Sequence, residues 1–259
     1  MKILFIGDIS ARPGREVVKK YLEDNRIKYD FVIANCENSA HGEGITDQIA
    51  EDLYSYGIDC LTSGNDIWKK KEAFDLLNSE NRLIRPLNYP DYYPGKGYTI
   101  IEKNNLKFLV LNLIGKTYMT GDILNPFRVI QNWFNEHSSL EYDYSFIDFH
   151  AEATSEKLSL GYMLDGRVDF IAGSHTHVQT NDARILPSGR TMYITDAGMS
   201  GSLNSVLWVK KEIAIEKNLT PYVFSHFEVE EEKPWIMSGV EFIIDNKARN
   251  VNTINFILN

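Results

Sequence analysis

Apolar positions in this chain follow two alternating rhythms. Short, almost unbroken apolar runs are followed by stretches in which apolar residues recur every three or four positions. "KILFIG" (2–7) reads as a buried strand, and "GREVVKKYLEDN" (14–25) as a helix with Val17, Val18, Tyr21 and Leu22 on one face. "DFVIAN" (30–35) is a second strand. "TDQIAEDLYSYG" (46–57) is a helix opened by Thr46 and closed by Gly57. "IDCLTS" (58–63) is a third strand, followed by a helical "KKKEAFDLLN". This β-α-β-α-β order predicts parallel strands with crossover helices.

The middle and the end of the chain change character. "GYTIIEK" and "LKFLVLNL" are separated by "NN", a hairpin signal. A loop over 115–125, a helix from Pro126 and strands at "YSFIDFH" and "VDFIAGS" follow. The remainder is strand-rich: "RILPSGRTMYIT" with a turn at "PSG", then "VFSHFEVEEE", "WIMSGVEFIID" and "VNTINFIL". An α/β start with a β-heavy finish predicts two packed sheets with helices outside, not one doubly wound sheet. No repeat, low-complexity tract or Gly/Ser-rich linker divides residues 1–259, which read as a single domain.

Composition narrows the partners. The chain is 43% hydrophobic and 24% charged, as soluble globular proteins are. No apolar run approaches the roughly 18 residues that span a bilayer. "ILFIG" lacks the length and cleavage site of a signal peptide, so a cytoplasmic location without a membrane partner is expected. Cys36 and Cys60 read as buried thiols in strand-like runs, not as a disulfide framework. A net charge of −9 argues against strong binding to a duplex nucleic-acid backbone. It leaves room for a phosphate substrate where a bound cation supplies local positive charge.

Five predicted strands end in metal-ligand residue types: Asp8, Glu37 with Asn38, Asn65, His150, and His175 with His177. Each has a bland reading. Asp8 could be a turn or cap residue, Glu37–Asn38 a solvated loop, and His150 a core histidine. "GSHTH" is the most informative, because two His one residue apart point to the same side if extended. Ligands in α/β folds bind outside the carboxyl ends of strands, so the five clusters are placed to converge at one rim. Two cations about 3.5–4 Å apart need a bridging carboxylate and several further donors. Imidazole suits iron, zinc and manganese, while carboxylate and amide oxygens suit harder ions.

The order "GD", "GN", a lone His and "GSHTH" resembles the calcineurin-like metallophosphoesterase superfamily. In "CEN", Glu37 stands where that pattern usually has Asp, and "GDIS" lacks its second ligand His. With "KILFIGDISARPGR", "ANCENSAHGEGIT", "SGNDIW", "RPLNYP", "PGKGY", "NPF", "GSHTHVQTND" and "DAGMSG", the chain resembles the YmdB-like phosphodiesterase family over most of its length. The resemblance implies a four-layer α/β/β/α sandwich and a cytoplasmic homo-oligomer with two metal ions, iron or manganese. Asp8, Glu37, Asn38 and His177 would hold one ion. Glu37, Asn65, His150 and His175 would hold the other, with Glu37 bridging. The implied reaction is hydrolysis of cyclic nucleotides, 2′,3′-cyclic ones above all, by a hydroxide that bridges the metals. Two other readings stand beside it: a nucleotidase or phosphomonoesterase, and a metal- or nucleotide-binding regulator that has lost its acid. Outside the pattern, His41 reads as a loop histidine near Glu37, and Lys116 and Arg128 as surface charges within reach of phosphate. His137 and His226 read as helix-end and strand residues, and "EVEEEK" as a solvated edge.

One departure bears on rate. Asp66 stands where the resemblance places a proton-donating His. A free Asp carboxyl has a pKa of about 3.9, so about one in a thousand carries a proton at pH 7. Nearby cations would lower that fraction and burial would raise it; the cations are expected to prevail, making the enzyme slow. Positioned acids contribute about 10²–10⁴-fold. Asp66→His is therefore expected to raise kcat on a cyclic nucleotide by at least about tenfold with full metal content. An unchanged kcat in the metal-replete variant would show that Asp66 is a competent acid or that none is needed.

Overall fold

In the computed structural model, the described residues are 1–220, 222, 226–245 and 248–259. In chain order the elements are β1 (Lys2–Ile6), β2 (Asp8–Ile9), α1 (Ala11–Asn25), β3 (Phe31–Asn35), α2 (Asp47–Ser55), β4 (Cys60–Thr62), α3 (Glu72–Ser79), β5 (Tyr98–Lys103), β6 (Leu106–Ile114), α4 (Pro126–Glu136), β7 (Tyr144–His150), α5 (Thr154–Met163), β8 (Phe170–Ser174), β9 (Arg184–Ile185), β10 (Met192–Ile194), β11 (Met199–Ser202), α6 (Lys211–Leu219), β12 (Trp235–Asp245) and β13 (Ala248–Leu258).

Among the described residues the strands make two mixed sheets. The first has the order β2-β11-β12-β1-β3-β4, with β13 pairing β12. β1, β3 and β4 are parallel, and β12 runs antiparallel to β1. The second has the order β5-β6-β7-β8-β10-β9, parallel from β6 to β10 and antiparallel at both edges.

Side-chain alternation along each strand explains the layering. In β1, Ile3 and Phe5 point between the sheets, where they meet Phe31, Ile33, Phe108, Phe146, Phe170 and Phe242. Leu4 and Ile6 point the other way, into a core with Val17, Val18 and Leu22 of α1 and Leu53 of α2. Leu109, Leu111, Ile147 and Ile171 on the second sheet pack on Ile130 and Trp133 of α4 and Leu160 of α5. Strands apolar on both faces thus build the expected α/β/β/α sandwich.

Local signals held where they were chemical. Thr46 caps α2 by accepting from the Ile49 amide, and Pro126 opens α4 behind the Asn125 cap. Asn104 and Asn105 turn the β5–β6 hairpin with φ of 52° and 60°. α1 begins earlier than expected, at Ala11, because Pro13 fits a first helical turn. α5 was not anticipated. Its inner face carries Glu156 and Lys157 beside Leu160 and Gly161, so polar residues interrupt the apolar period.

The strand expected at "VFSHFEVEEE" lies partly outside the described residues, at 223–225. Over 226–232 it reduces to an isolated pairing of Val229 with Val209. Cys36 and Cys60 are buried and free, and no helix among the described residues is long and apolar enough to cross a membrane.

The inter-sheet core is rich in aromatic side chains. Phe31 is fully buried and stacks on Phe108 with ring centroids 4.3 Å apart. Phe31→Ala should lower the unfolding free energy by about 3–5 kcal/mol, measured by urea titration.

Candidate active site

The C-terminal ends of β1, β3, β4, β7 and β8 meet at one rim, and the seven side chains expected there as metal donors come together. Asp8 follows β1, Glu37 and Asn38 follow β3, Asn65 follows β4, His150 ends β7, and His175 and His177 follow β8. Asp8, Glu37, Asn38 and His150 are buried. Gly64 is required by this crowding: a Cβ there would lie 2.3 Å from the His150 ring.

Each imidazole turns one nitrogen to a protein acceptor and the other into the cluster. His150 Nδ1 lies 3.0 Å from Ser174 Oγ, whose hydroxyl donates to Asp148 at 2.6 Å. His175 Nε2 faces Glu152 at 3.1 Å, and His177 Nδ1 faces the Leu207 carbonyl at 3.4 Å. The free nitrogens then lie close to the other donors. His175 Nδ1 is 3.1 Å from His150 Nε2, and His177 Nε2 is 3.1 Å from Asn38 Oδ1. His150 Nε2 is 3.3 Å from Asn65 Oδ1 and 3.6 Å from Glu37 Oε1. Burial holds all three imidazoles below their ordinary pKa, which keeps these lone pairs available.

The carboxylates are only half satisfied. Asp8 Oδ2 accepts from the His175 amide at 3.1 Å, and Glu37 Oε1 from the Asp66 amide at 2.5 Å. Asp8 Oδ1 and Glu37 Oε2 are buried without a partner. Burial raises the Asp8 carboxyl to about 7 and pushes Glu37 well above its usual range. Such oxygens call for a cation. Donors sharing an ion at about 2.1 Å sit about 3 Å apart, close to the spacings found here. Among the described residues no three His, Cys, Asp or Glu side chains form a ready cage by themselves. The set is completed by the amides of Asn38 and Asn65, whose oxygens lie 3.1 and 3.3 Å from the ring nitrogens of His177 and His150. The residues present fit metal ions.

The loop carrying the two histidines is strained and clamped. His175 and His177 have φ of 96° and 63°, a region costly for residues other than glycine. Between them, Thr176 gives both its amide (3.1 Å) and its hydroxyl (2.7 Å) to Asp196 Oδ2. The same oxygen takes Lys157 Nζ at 2.6 Å, and that ammonium also reaches the Ser174 carbonyl at 2.7 Å. Lys157 and Asp196 are both buried. The unforeseen helix α5 therefore supplies the charge that balances the clamp.

A cavity of about 300 Å³ opens over the donors, with Asp66, Glu152, Leu207 and Trp208 on its walls. Asp66 Oδ1 accepts from Asn65 Nδ2 at 3.0 Å; burial raises its carboxyl and this bond opposes the rise. His41, Lys116 and Arg128 are not among the residues lining it. The Lys116 ammonium binds the Ile123 carbonyl, His137 stacks on Trp133, and Arg128 and His226 are exposed. Sequence reasoning passed over Asp148, Glu152, Lys157, Ser174 and Asp196. Asp148 alone had a legible signal: an acid inside an apolar strand, two residues from His150 and so on the same face.

A sequence model of YmdB-like proteins matches residues 4–257. The chain belongs to the YmdB-like protein family. It is 44% identical over 260 residues to the 2′,3′-cyclic-nucleotide 2′-phosphodiesterase of Bacillus subtilis (strain 168), covering all of this chain and 97% of that protein. A crystal structure of a hypothetical protein from Thermus thermophilus superposes with a TM-score of 0.92 at 36% identity, covering 99% of both chains. A novel phosphatase from Mycoplasma pneumoniae gives 0.90 at 33% identity, covering 99% of this chain and 93% of that one.

Without a bound cation, Asp8 and Glu37 of this YmdB-like protein are carboxylates with no compensating protein charge on one oxygen each. A folded-state pKa of about 7 for Asp8, against 3.8 ordinarily, means that the folded form binds the extra proton. The stabilisation is complete below about pH 4 and is lost as pH rises through about 7. Asp8→Asn in chelator-treated protein should therefore gain stability over wild type between pH 5 and 8. The gap should widen toward about 4 kcal/mol, read from pH-dependent denaturation. A gap independent of pH would show that Asp8 is not a buried, uncompensated charge.

Proposed function

We propose that this chain is a metal-dependent phosphodiesterase that hydrolyses cyclic nucleotides, preferring 2′,3′-cyclic ones. The observation that carries this reading is the pair of partnerless buried oxygens, Asp8 Oδ1 and Glu37 Oε2, set among three imidazole nitrogens and two amide oxygens. Asp8, Glu37, Asn38 and His177 would hold one ion, and Glu37, Asn65, His150 and His175 the other. By the family resemblance Glu37 would be shared between them; one of its oxygens accepts from the Asp66 amide and the other has no protein partner. The family resemblance points to iron or manganese, and mixed imidazole, carboxylate and amide donors accommodate either. When bound, such ions lower the pKa of water and neutralise phosphoryl charge, which lets an acidic protein accept an anionic ester.

The chain's own residues supply the rest. The hydrogen bonds of His150 to Ser174 and His177 to Leu207, and the contact of His175 Nε2 with the Glu152 carboxylate, orient the rings and leave the other nitrogen of each facing the cluster. The clamp of Asp196 on Thr176 holds the His175–His177 loop against its strain. Asp66 lines the cavity wall and, by the family resemblance, would take the position of the group that gives a proton to the leaving oxygen. Ring strain in a five-membered cyclic phosphate eases departure, which suits a site with a weak acid there. The Bacillus subtilis relative's activity supports the choice of ester. The family resemblance supports a cytoplasmic homo-oligomer.

The purified protein should carry close to two transition-metal ions per chain, and Glu37→Ala should remove most of both, measured by elemental analysis. Full occupancy in that variant would overturn the ligand assignment. With iron or manganese supplied, turnover of 2′,3′-cyclic nucleotides should exceed that of 3′,5′-cyclic nucleotides and monoesters. Equal or faster turnover of a monoester would establish a nucleotidase, and no turnover of any ester a regulator.

A further inference from the structure

The Leu207–Trp208 pair forms an unusual tip beside the donor cluster. Val206 and Val209 exchange backbone hydrogen bonds of 2.8 and 3.0 Å, leaving Leu207 and Trp208 as a two-residue turn with φ of 55° and 87°. Two successive positive φ values mark the turn type that favours Asn-Gly, since bulky side chains are costly there. The β5–β6 hairpin, also with two positive φ values, uses Asn104–Asn105, residues that tolerate them. At the cavity two large apolar side chains take these positions instead.

The tip is held firmly. The Trp208 amide donates to Ser205 Oγ at 3.0 Å, and its carbonyl accepts from the Glu230 amide at 2.8 Å. The Leu207 carbonyl meets His177 Nδ1 at 3.4 Å, which couples the tip to a candidate donor. The indole lies over Gly42, in the loop that follows Asn38. A Cβ at Gly42 would come within 2.7 Å of the six-membered ring. Among the described residues, Trp208 is the sole Trp, Tyr or Phe lining the cavity, and it shares those walls with Glu37, Asn38 and Asp66.

We propose that Trp208 is a specificity residue that stacks on the substrate's nucleobase while the donor cluster engages its phosphate. The inference rests on the phosphodiesterase reading and adds the part of the substrate that the donors do not touch. A strained turn places an indole on the same cavity walls as Glu37, Asn38, His175 and His177, in a cavity at the small end of the about 300–1,000 Å³ typical of ligand sites. A base offers the flat π-face that such a wall recognises, whatever its hydrogen-bonding pattern. An ester of glycerol offers none.

The test compares 2′,3′-cyclic AMP with glycerol 1,2-cyclic phosphate on wild type, Trp208→Ala and Trp208→Phe, each loaded with manganese. The ratio of kcat/KM for the nucleotide to that for the glycerol ester should fall about tenfold in Trp208→Ala, through KM for the nucleotide. Trp208→Phe should restore most of it, and metal content should match wild type throughout. An unchanged ratio would overturn the proposal, whether both esters keep their rates or both lose them equally, since Trp208 would then act on neither base. If wild type hydrolyses no ester, the phosphodiesterase reading fails by itself. Calorimetric binding of 2′,3′-cyclic AMP then decides the stacking: an about tenfold loss of affinity in Trp208→Ala sustains it, and equal affinity removes it.

Discussion

Buried negative charge without protein compensation is the constraint around which this structure is organised. Asp8 and Glu37 lie out of water, each with one oxygen satisfied by a backbone amide and one left bare. A carboxylate in such a place either takes a proton or finds a cation. Elsewhere the same rim shows what compensation looks like. Asp196 is equally buried, yet Lys157, Thr176 and Gly198 saturate it. The contrast separates an acid whose oxygens the protein satisfies from two acids with one oxygen each that it does not.

The sandwich makes this arrangement possible by separating tasks along each strand. Apolar side chains on both faces drive the packing of two sheets and their helices, and the strand ends are free to carry polar chemistry. Parallel strands β1, β3 and β4 of one sheet and β7 and β8 of the other deliver their ends to a common rim. Once there, the donors depend on a second set of residues. Ser174 with Asp148, Glu152 and the Leu207 carbonyl each take one ring nitrogen, so that the opposite lone pair faces inward. Strain concentrates in the same region, at His175, His177, Leu207 and Trp208. Strained backbone persists where surrounding bonds over-determine it, and here those bonds run to buried charge and to neighbouring loops.

The primary sequence by itself determined the sandwich and the candidate donors. Periodicity reports burial on one or two faces, and residues at strand ends are adjacent in sequence to the apolar runs that define the strands. Asp8, Glu37, Asn38, Asn65, His150, His175 and His177 were legible for that reason, as were Thr46, Pro126 and Asn104–Asn105, whose chemistry is local. Only the tertiary structure decided what supports and faces them. Lys157 sits in a helix whose buried polar face erased its own periodic signal, and its partner Asp196 lies 39 residues away. Glu152 gains meaning only from the ring it touches. Trp208 reads in sequence as one more apolar residue; its place on a strained turn beside the donors arises because the chain between β11 and α6 folds back over the rim. Contacts between residues distant along the chain leave no local period, and in this protein they set the tautomers, the clamp and the wall of the cavity.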